Sequence, residues 1–202
     1  MLEQIKQLIL GNTFLCRFFQ NILRPKSYYE LYRQLSKTIK KEFAFYTIYD
    51  LGCGDAPLAD YLDKQTDYIG IDMNENHINN AREKYPQFKF HCMSFDDLTF
   101  ENKKTLIILD GVIHHLSNEE VAKLLFKINN IDRHSIFCKD PVMTSNQDAF
   151  SYFLMKNDGG HYVRYEKDYK KILKGFNFQI TDSLLRIPYK HIISTKNIDL
   201  YL

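Results

Sequence analysis

Two glycines one residue apart stand where a β-rich apolar run gives out, in Tyr49-Asp50-Leu51-Gly52-Cys53-Gly54-Asp55-Ala56. Glycine permits positive φ and lets a ligand approach the main chain closely. A helix opening just after such a turn points unpaired backbone N–H groups at whatever binds there. Asp50 closes the run two residues before Gly52. Asp72 ends the next β-rich run, twenty residues after Gly52, where a carboxylate can grip ribose hydroxyls. A lone G-x-G is weak, and these two acids supply its context. The third glycine of the dinucleotide fingerprint would fall at position 57, which holds Pro57, and this disfavours an NAD-linked oxidoreductase.

Further acids and imidazoles follow later apolar runs. Asp110-Gly111 lead into His114-His115, and Asp140 ends SIFCKD. Histidine is the natural proton acceptor near neutral pH. Adjacent side chains diverge on a helix, so His114 and His115 are not at metal spacing. Cys16, Cys53, Cys92 and Cys138 form no C-x-x-C pair and no Cys/His zinc pattern, so no metal is expected. Their isolation points to reduced thiols and a cytoplasmic protein.

The elements that would position these residues alternate. FYTIYDL, YIGID, FKFHCM, TLIILD and SIFCKD read as strands. Helices are expected over Ala56 to Lys64, over Asn76 to Tyr85 up to Pro86, and from Ser117 to about Asn130. Ser117 with Glu120 makes a capping box at the last of these. This order predicts an open parallel sheet with helices on both faces. Ligands in such sheets bind beyond the carboxyl ends of the strands, where Asp50, Asp72, Ser94 to Asp97, Asp110 and Asp140 fall. Gly159-Gly160 marks a loop and Tyr165 to Leu173 a helix. FNFQITDSLLRI and HIISTKNIDLYL, around Pro188-Tyr189, read as a closing antiparallel hairpin that brings the sheet to seven strands.

The first forty residues carry apolar side chains at helical spacing, from Ile5 to Ile22 and from Tyr29 to Ile39, broken near Pro25. The expected organisation is one domain over 1–202, with a helical cap at 1–42 and a Rossmann-like core at 43–202. The cap's aromatic residues read mainly as core. A lid over the site, or peripheral contact with a membrane surface, are the alternatives.

The first motif, Asp50-x-Gly52-x-Gly54 with Ala56 as a third small residue, resembles that of class I S-adenosylmethionine-dependent methyltransferases. The resemblance implies a Rossmann-like methyltransferase sandwich and S-adenosylmethionine as cofactor. It implies that Asp50 lies near the cofactor's amino group, directly or through water, and that Gly52, Cys53 and Gly54 line its methionine part. Asp72 would bind the ribose and Met73 pack on the adenine. The residue serving the adenine amine would be Ser94, Phe95 or Asp96. Leu109 to Leu116 resembles the segment after strand four of many members that act on small molecules, which implies that Asp110 and Gly111 face the reactive end. Asp140-Pro141, Asn157 to Arg164 and Leu185 to His191 resemble a bacterial subgroup of unassigned substrate, so the resemblance spans residues 45 to 195.

The sulfonium makes the methyl group electrophilic by itself, so the protein must chiefly orient a nucleophile and exclude water. An oxygen nucleophile needs a base, and His115, His161 and Asp140 are the candidates, in that order. His114, Arg164, Tyr189 and His191 would form a polar substrate pocket. The expected acceptor is a small molecule, lipid or glycan precursor, methylated on oxygen or nitrogen. The alternative is a non-catalytic domain of the same fold that binds the cofactor, its demethylated product or a protein partner.

The chain of 202 residues has 45% hydrophobic residues and a net charge of only +2, which argues against nucleic acid as partner. The opening residues do not read as a secretory signal, and no apolar run approaches membrane-spanning length.

Overall fold

A computed structural model describes residues 26–101, 103–147, 149, 152, 155, 160–181 and 190–198. The expected helix before Pro25, the residues of Asn157 to Gly159, and Leu185 to Tyr189 lie outside the described residues.

The described chain opens with α1 (Lys26–Glu42), followed by β1 (Thr47–Leu51) and a 3-10 turn (Pro57–Tyr61). Then come β2 (Tyr68–Asp72), α2 (Glu75–Lys84), β3 (Lys89–Cys92) and β4 (Thr105–Asp110). A second 3-10 turn (Ile113–His115) leads into α3 (Asn118–Asn129) and β5 (His134–Met143). The remainder is β6 (Arg164–Tyr165), α4 (Glu166–Ile172), β7 (Asn177–Thr181) and β8 (His191–Lys196).

The strands form one sheet in the order β3-β2-β1-β4-β5-β8-β7. The first five are parallel, and β8 runs antiparallel to both β5 and β7. This is the expected mostly parallel sheet with its antiparallel closing hairpin. An eighth strand, the two-residue β6, pairs with the end of β5 and was not expected.

Alternate residues of each central strand serve opposite faces. Ile48, Leu106, Ile108 and Phe137 pack with Leu31, Leu35 and Ile39 of α1 and Ile78 of α2. Tyr49, Leu51, Ile107 and Leu109 pack with Val121, Leu124 and Ile128 of α3 and Tyr169 of α4. β4 is buried from Thr105 to Leu109, as a strand covered on both faces must be.

Two local expectations turn out differently. The helix expected over Ala56 to Lys64 is reduced to the 3-10 turn. Ala56 adopts a left-handed φ of 55° and makes no side-chain cap, and Pro57 then stands at the start of the turn. The strand expected to end at Asp140 continues through Pro141 to Met143, because β8 pairs antiparallel as far as Pro141 and β6 takes up Val142 and Met143. The Ser117/Glu120 capping box forms as read, with Ser117 accepting from the Glu120 N–H at 3.2 Å and Glu120 accepting from the Ser117 N–H at 2.7 Å.

Candidate active site

The carboxyl ends of β1, β2 and β4 converge on the glycine turn. Gly52, Gly54 and Ala56 all have positive φ, at 72°, 54° and 55°. A Cβ on Gly52 would lie 2.7 Å from Val112 Cγ2, so position 52 is closed to side chains by the loop after β4. Asp72 accepts from the Gly54 N–H at 2.9 Å through one oxygen and from the Asn74 N–H at 2.8 Å through the other. The second β-strand thus fixes the turn of the first, and the Asp72 carboxylate is held in place by main chain.

Two cavities meet at Gly52 and His115. One, of about 410 Å³, runs from Asp72 and Met73 past Ser94 and Phe95 to α3. The other, of about 550 Å³, is walled by Asp50, Gly52, Cys53, Gly54 and Asp110, with Tyr29 and Tyr32 of α1 also in its lining. Asp50 is buried and receives the Tyr68 hydroxyl at 2.6 Å. Burial, with repulsion from Asp110 and Asp72, pushes its pKa up to about 7 despite that hydrogen bond. Asp110 is held below its ordinary value. Burial opposes its charge, but the Lys139 ammonium beside it and the Tyr32 hydroxyl bonded to it prevail.

Part of the sequence and the whole fold have counterparts among known proteins. Residues 48–133 match the family model described as "Methyltransferase domain". Over these residues, fewer than half of the chain, the sequence is similar to methyltransferase domains. A putative methyltransferase, 235L of Invertebrate iridescent virus 6, is 24% identical over 117 residues, which is 55% of this chain and 43% of that protein. The chain therefore spans less than half the length of that curated relative. The plantazolicin methyltransferase BpumL, solved with a pentazolic desmethylPZN analog and SAH, superposes with a TM-score of 0.66 over 96% of this chain and 95% of that one, at 14% identity. Magnesium protoporphyrin IX methyltransferase of Synechocystis PCC 6803, solved with bound SAH, gives 0.60 over 84% of this chain and 81% of that one, at 18% identity. At such identities the likeness is one of fold.

The structure gathers part of the expected set at its two cavities. Asp50, Gly52, Cys53, Gly54 and Asp110 wall the larger one; Asp72, Met73, Ser94 and Phe95 line the smaller. Met73 is 79% exposed on the rim. His115 borders both cavities.

The other expected residues sit elsewhere. Asp140 is 0% exposed, and its carboxylate accepts from the His114 N–H at 3.0 Å, the Ile113 N–H at 3.4 Å and the Cys138 thiol at 3.2 Å. His114 Nδ1 lies 2.6 Å from the same carboxylate, and the ring packs so tightly on Gly160 that a Cβ there would sit 2.0 Å from His114 Cδ2. Arg164 is buried, with its guanidinium bonded to the carbonyls of Ile113, Leu116 and Tyr162 and to the Asn118 side chain. Asp140, His114 and Arg164 together brace the 3-10 turn that carries His115 into the cavities. His161 is exposed on a turn, outside both cavity walls. His191 is buried at the start of β8, where burial and the Lys139 cation push its pKa down to about 3 and keep it neutral. Tyr189 lies outside the described residues.

Sequence reading missed Lys139, Tyr32 and Tyr68, the side chains that contact the two central carboxylates. Lys139 did carry a signal: it is a cation directly after the apolar run Ile136-Phe137-Cys138 of a strand, and such a residue is buried with a partner when buried at all.

Proposed function

We propose that the protein transfers the methyl group of S-adenosylmethionine to an oxygen or nitrogen nucleophile of a small molecule, lipid or glycan precursor. The observation that carries this reading is the meeting of two cavities at Gly52 and His115. The adenosine would lie along Asp72, Met73, Ser94 and Phe95, and the amino-acid end would pass Gly52 toward Asp50. Bound S-adenosylmethionine supplies a methyl group made electrophilic by its sulfonium.

The chain's own residues do the rest. Asp72 has both oxygens oriented by main-chain N–H groups, which leaves their outward lone pairs directed at a diol. Tyr29 and Tyr32 line the larger cavity and would set apolar ring surface beside the acceptor, which limits the water that reaches it. Holding the nucleophile in line with the methyl is the main source of rate, worth about 7–11 kcal/mol when the pose is well ordered. His115 is the base for an oxygen nucleophile, because it borders both cavities. Asp140 and His114 support it from behind, and His161 is displaced from this role. We assign α1 as a lid on a single domain, and the protein to the cytoplasm, where the unpaired Cys53, Cys92 and Cys138 stay reduced. Among the described residues no helix is long and apolar enough to cross a membrane.

The test is incubation with methyl-labelled S-adenosylmethionine and an extract of metabolites and lipids. Label should move to a low-molecular-weight product, and Gly52→Val, whose side chain has no room beside Val112, should abolish both transfer and cofactor binding. Tight binding with no transfer to any fraction would leave a binding domain instead of an enzyme.

A further inference from the structure

The cavity read above as the adenosine site is walled on one side by the loop after β3, which carries Ser94, Phe95 and Asp96. That loop has little internal structure. Its own bonds are long: Asp96 N–H to Ser94 Oγ at 3.2 Å, Asp97 N–H to the Ser94 carbonyl at 3.2 Å, and Leu98 N–H to the Phe95 carbonyl at 3.4 Å. Two of these stand at the long end of the usual range and the third lies beyond it. Its carbonyls instead gather on one side chain from outside the loop. Lys127, in the last turn of α3, donates to the Phe95 carbonyl at 3.0 Å, to the Leu98 carbonyl at 3.3 Å and to the Asp96 carbonyl. An ammonium has three donors, and here all three meet loop carbonyls. Glu120, Lys123, Leu124 and Lys127 form the stripe of α3 that faces the same cavity, at helical spacing.

We infer that Lys127 is a positioning residue for cofactor binding, an internal cation that holds the Ser94–Leu98 loop in the shape that receives the adenine. The inference rests on the reading of this cavity as the adenosine site. The competing account is that the loop is held by Leu98 alone, which is buried to 3% exposure in the core beneath it. The two differ in what removing the ammonium does. Lys127→Met keeps the length and apolar stem of the side chain and deletes three charge-assisted bonds. The loop carbonyls can then turn to water, and the loop loses its one fixed form.

The experiment has two arms on the full chain. Without ligand, hydrogen exchange at the amides of Asp96, Asp97 and Leu98 should speed up about tenfold or more in Lys127→Met, while amides of β4 and α3 keep their wild-type rates. With ligand, calorimetric titration uses S-adenosylhomocysteine and 5′-methylthioadenosine, the second of which lacks the amino-acid end. Both should bind about tenfold or more weakly to Lys127→Met, by the same factor, with Lys127→Arg restoring most of the loss. Equal loss for both ligands assigns the effect to the adenosine end they share, and unchanged exchange in β4 and α3 separates it from general softening of the protein. Unchanged exchange in the loop overturns the inference, as does a loss confined to S-adenosylhomocysteine. Wild-type protein that binds neither ligand overturns the reading of the cavity, and the exchange arm still reports whether Lys127 orders the loop.

Discussion

Asp50 and Asp110 end neighbouring parallel strands and wall the same cavity, yet they hold their protons oppositely. Around Asp50 the protein supplies a hydroxyl from Tyr68 and no cation in direct contact among the described partners, and burial pushes the pKa up to about 7. Around Asp110, which is partly buried, it supplies the Lys139 ammonium and the Tyr32 hydroxyl, and the carboxylate stays charged against its loss of water. The difference shows that depth alone does not decide the charge of an active-site acid. A built-in cation does. Asp110 is a settled ion pair of the folded chain, whereas Asp50 gains most from a cation that arrives with a ligand. A ligand with a positive amine and a sulfonium is such a cation carrier.

The sharpest way to break the contrast is to take the cation from Asp110. Lys139→Met leaves a buried carboxylate without its partner, a change that costs about 3–5 kcal/mol. Denaturant unfolding should register that loss. Lys139→Met combined with Asp110→Asn should recover most of it, because the double variant buries no lone charge. A single variant within about 1 kcal/mol of wild type would mean that Lys139 is not what keeps Asp110 ionised.

Protonation of Asp50 gives the next effect. Its folded pKa, about 7, lies above the ordinary value of about 4 for an aspartate in an unfolded chain. The folded state therefore binds the extra proton between those values. The stability this contributes is complete below about pH 4 and is lost as pH rises through 7. Asp110 works the other way, losing its contribution as pH falls through and below the ordinary carboxylate range. Asp50→Asn should flatten the part of the stability profile between pH 4 and 8, with a gain over wild type on the order of 2 kcal/mol at the alkaline end. Binding of a cationic ligand at pH 6 should release a proton in wild type and none in the variant, as read by titration in buffers of different ionisation enthalpy. Proton release that survives in Asp50→Asn assigns the titration to another group.

What could be read from the chain was what is local. The five parallel strands follow from runs of β-branched and apolar residues, the Ser117/Glu120 box from two positions three apart, and Asp72 from its place at a strand end. Tyr32 falls inside the helix read from Tyr29 to Ile39 without being singled out, and its hydroxyl meets a carboxylate 78 positions away, which no local pattern encodes. Lys127 reads as an ordinary surface cation near a helix C-terminus, where the macrodipole favours one, and its loop partners lie about thirty positions earlier. Asp140 and Arg164 were singled out for their chemistry. Their burial against main-chain groups depends on how the turn after β4 folds back over β5, which composition does not reveal. The failed helix after Ala56 is different: a left-handed alanine before a proline was readable in principle, had the third small residue been taken as part of the turn.

Tyr32 offers the smallest change that still separates the two acids. Its hydroxyl bonds Asp110, its ring tilts against Tyr61 at 5.7 Å between centroids, and Lys139 lies 5.7 Å from the ring centre. Tyr32→Phe keeps the ring contacts and deletes one donor to a carboxylate that still has its ammonium. The expected loss is about 1 kcal/mol, or roughly 2–4 °C in Tm for a chain of this size. Because α1 is tied to the end of β4 by this hydroxyl, the variant should also speed amide exchange in the first turns of α1 and leave β1 and β4 protected. The proton released by ligand binding at Asp50 should stay as in wild type. If Tyr32→Phe moves that proton count instead, the two carboxylates are one coupled system and not two separately set charges.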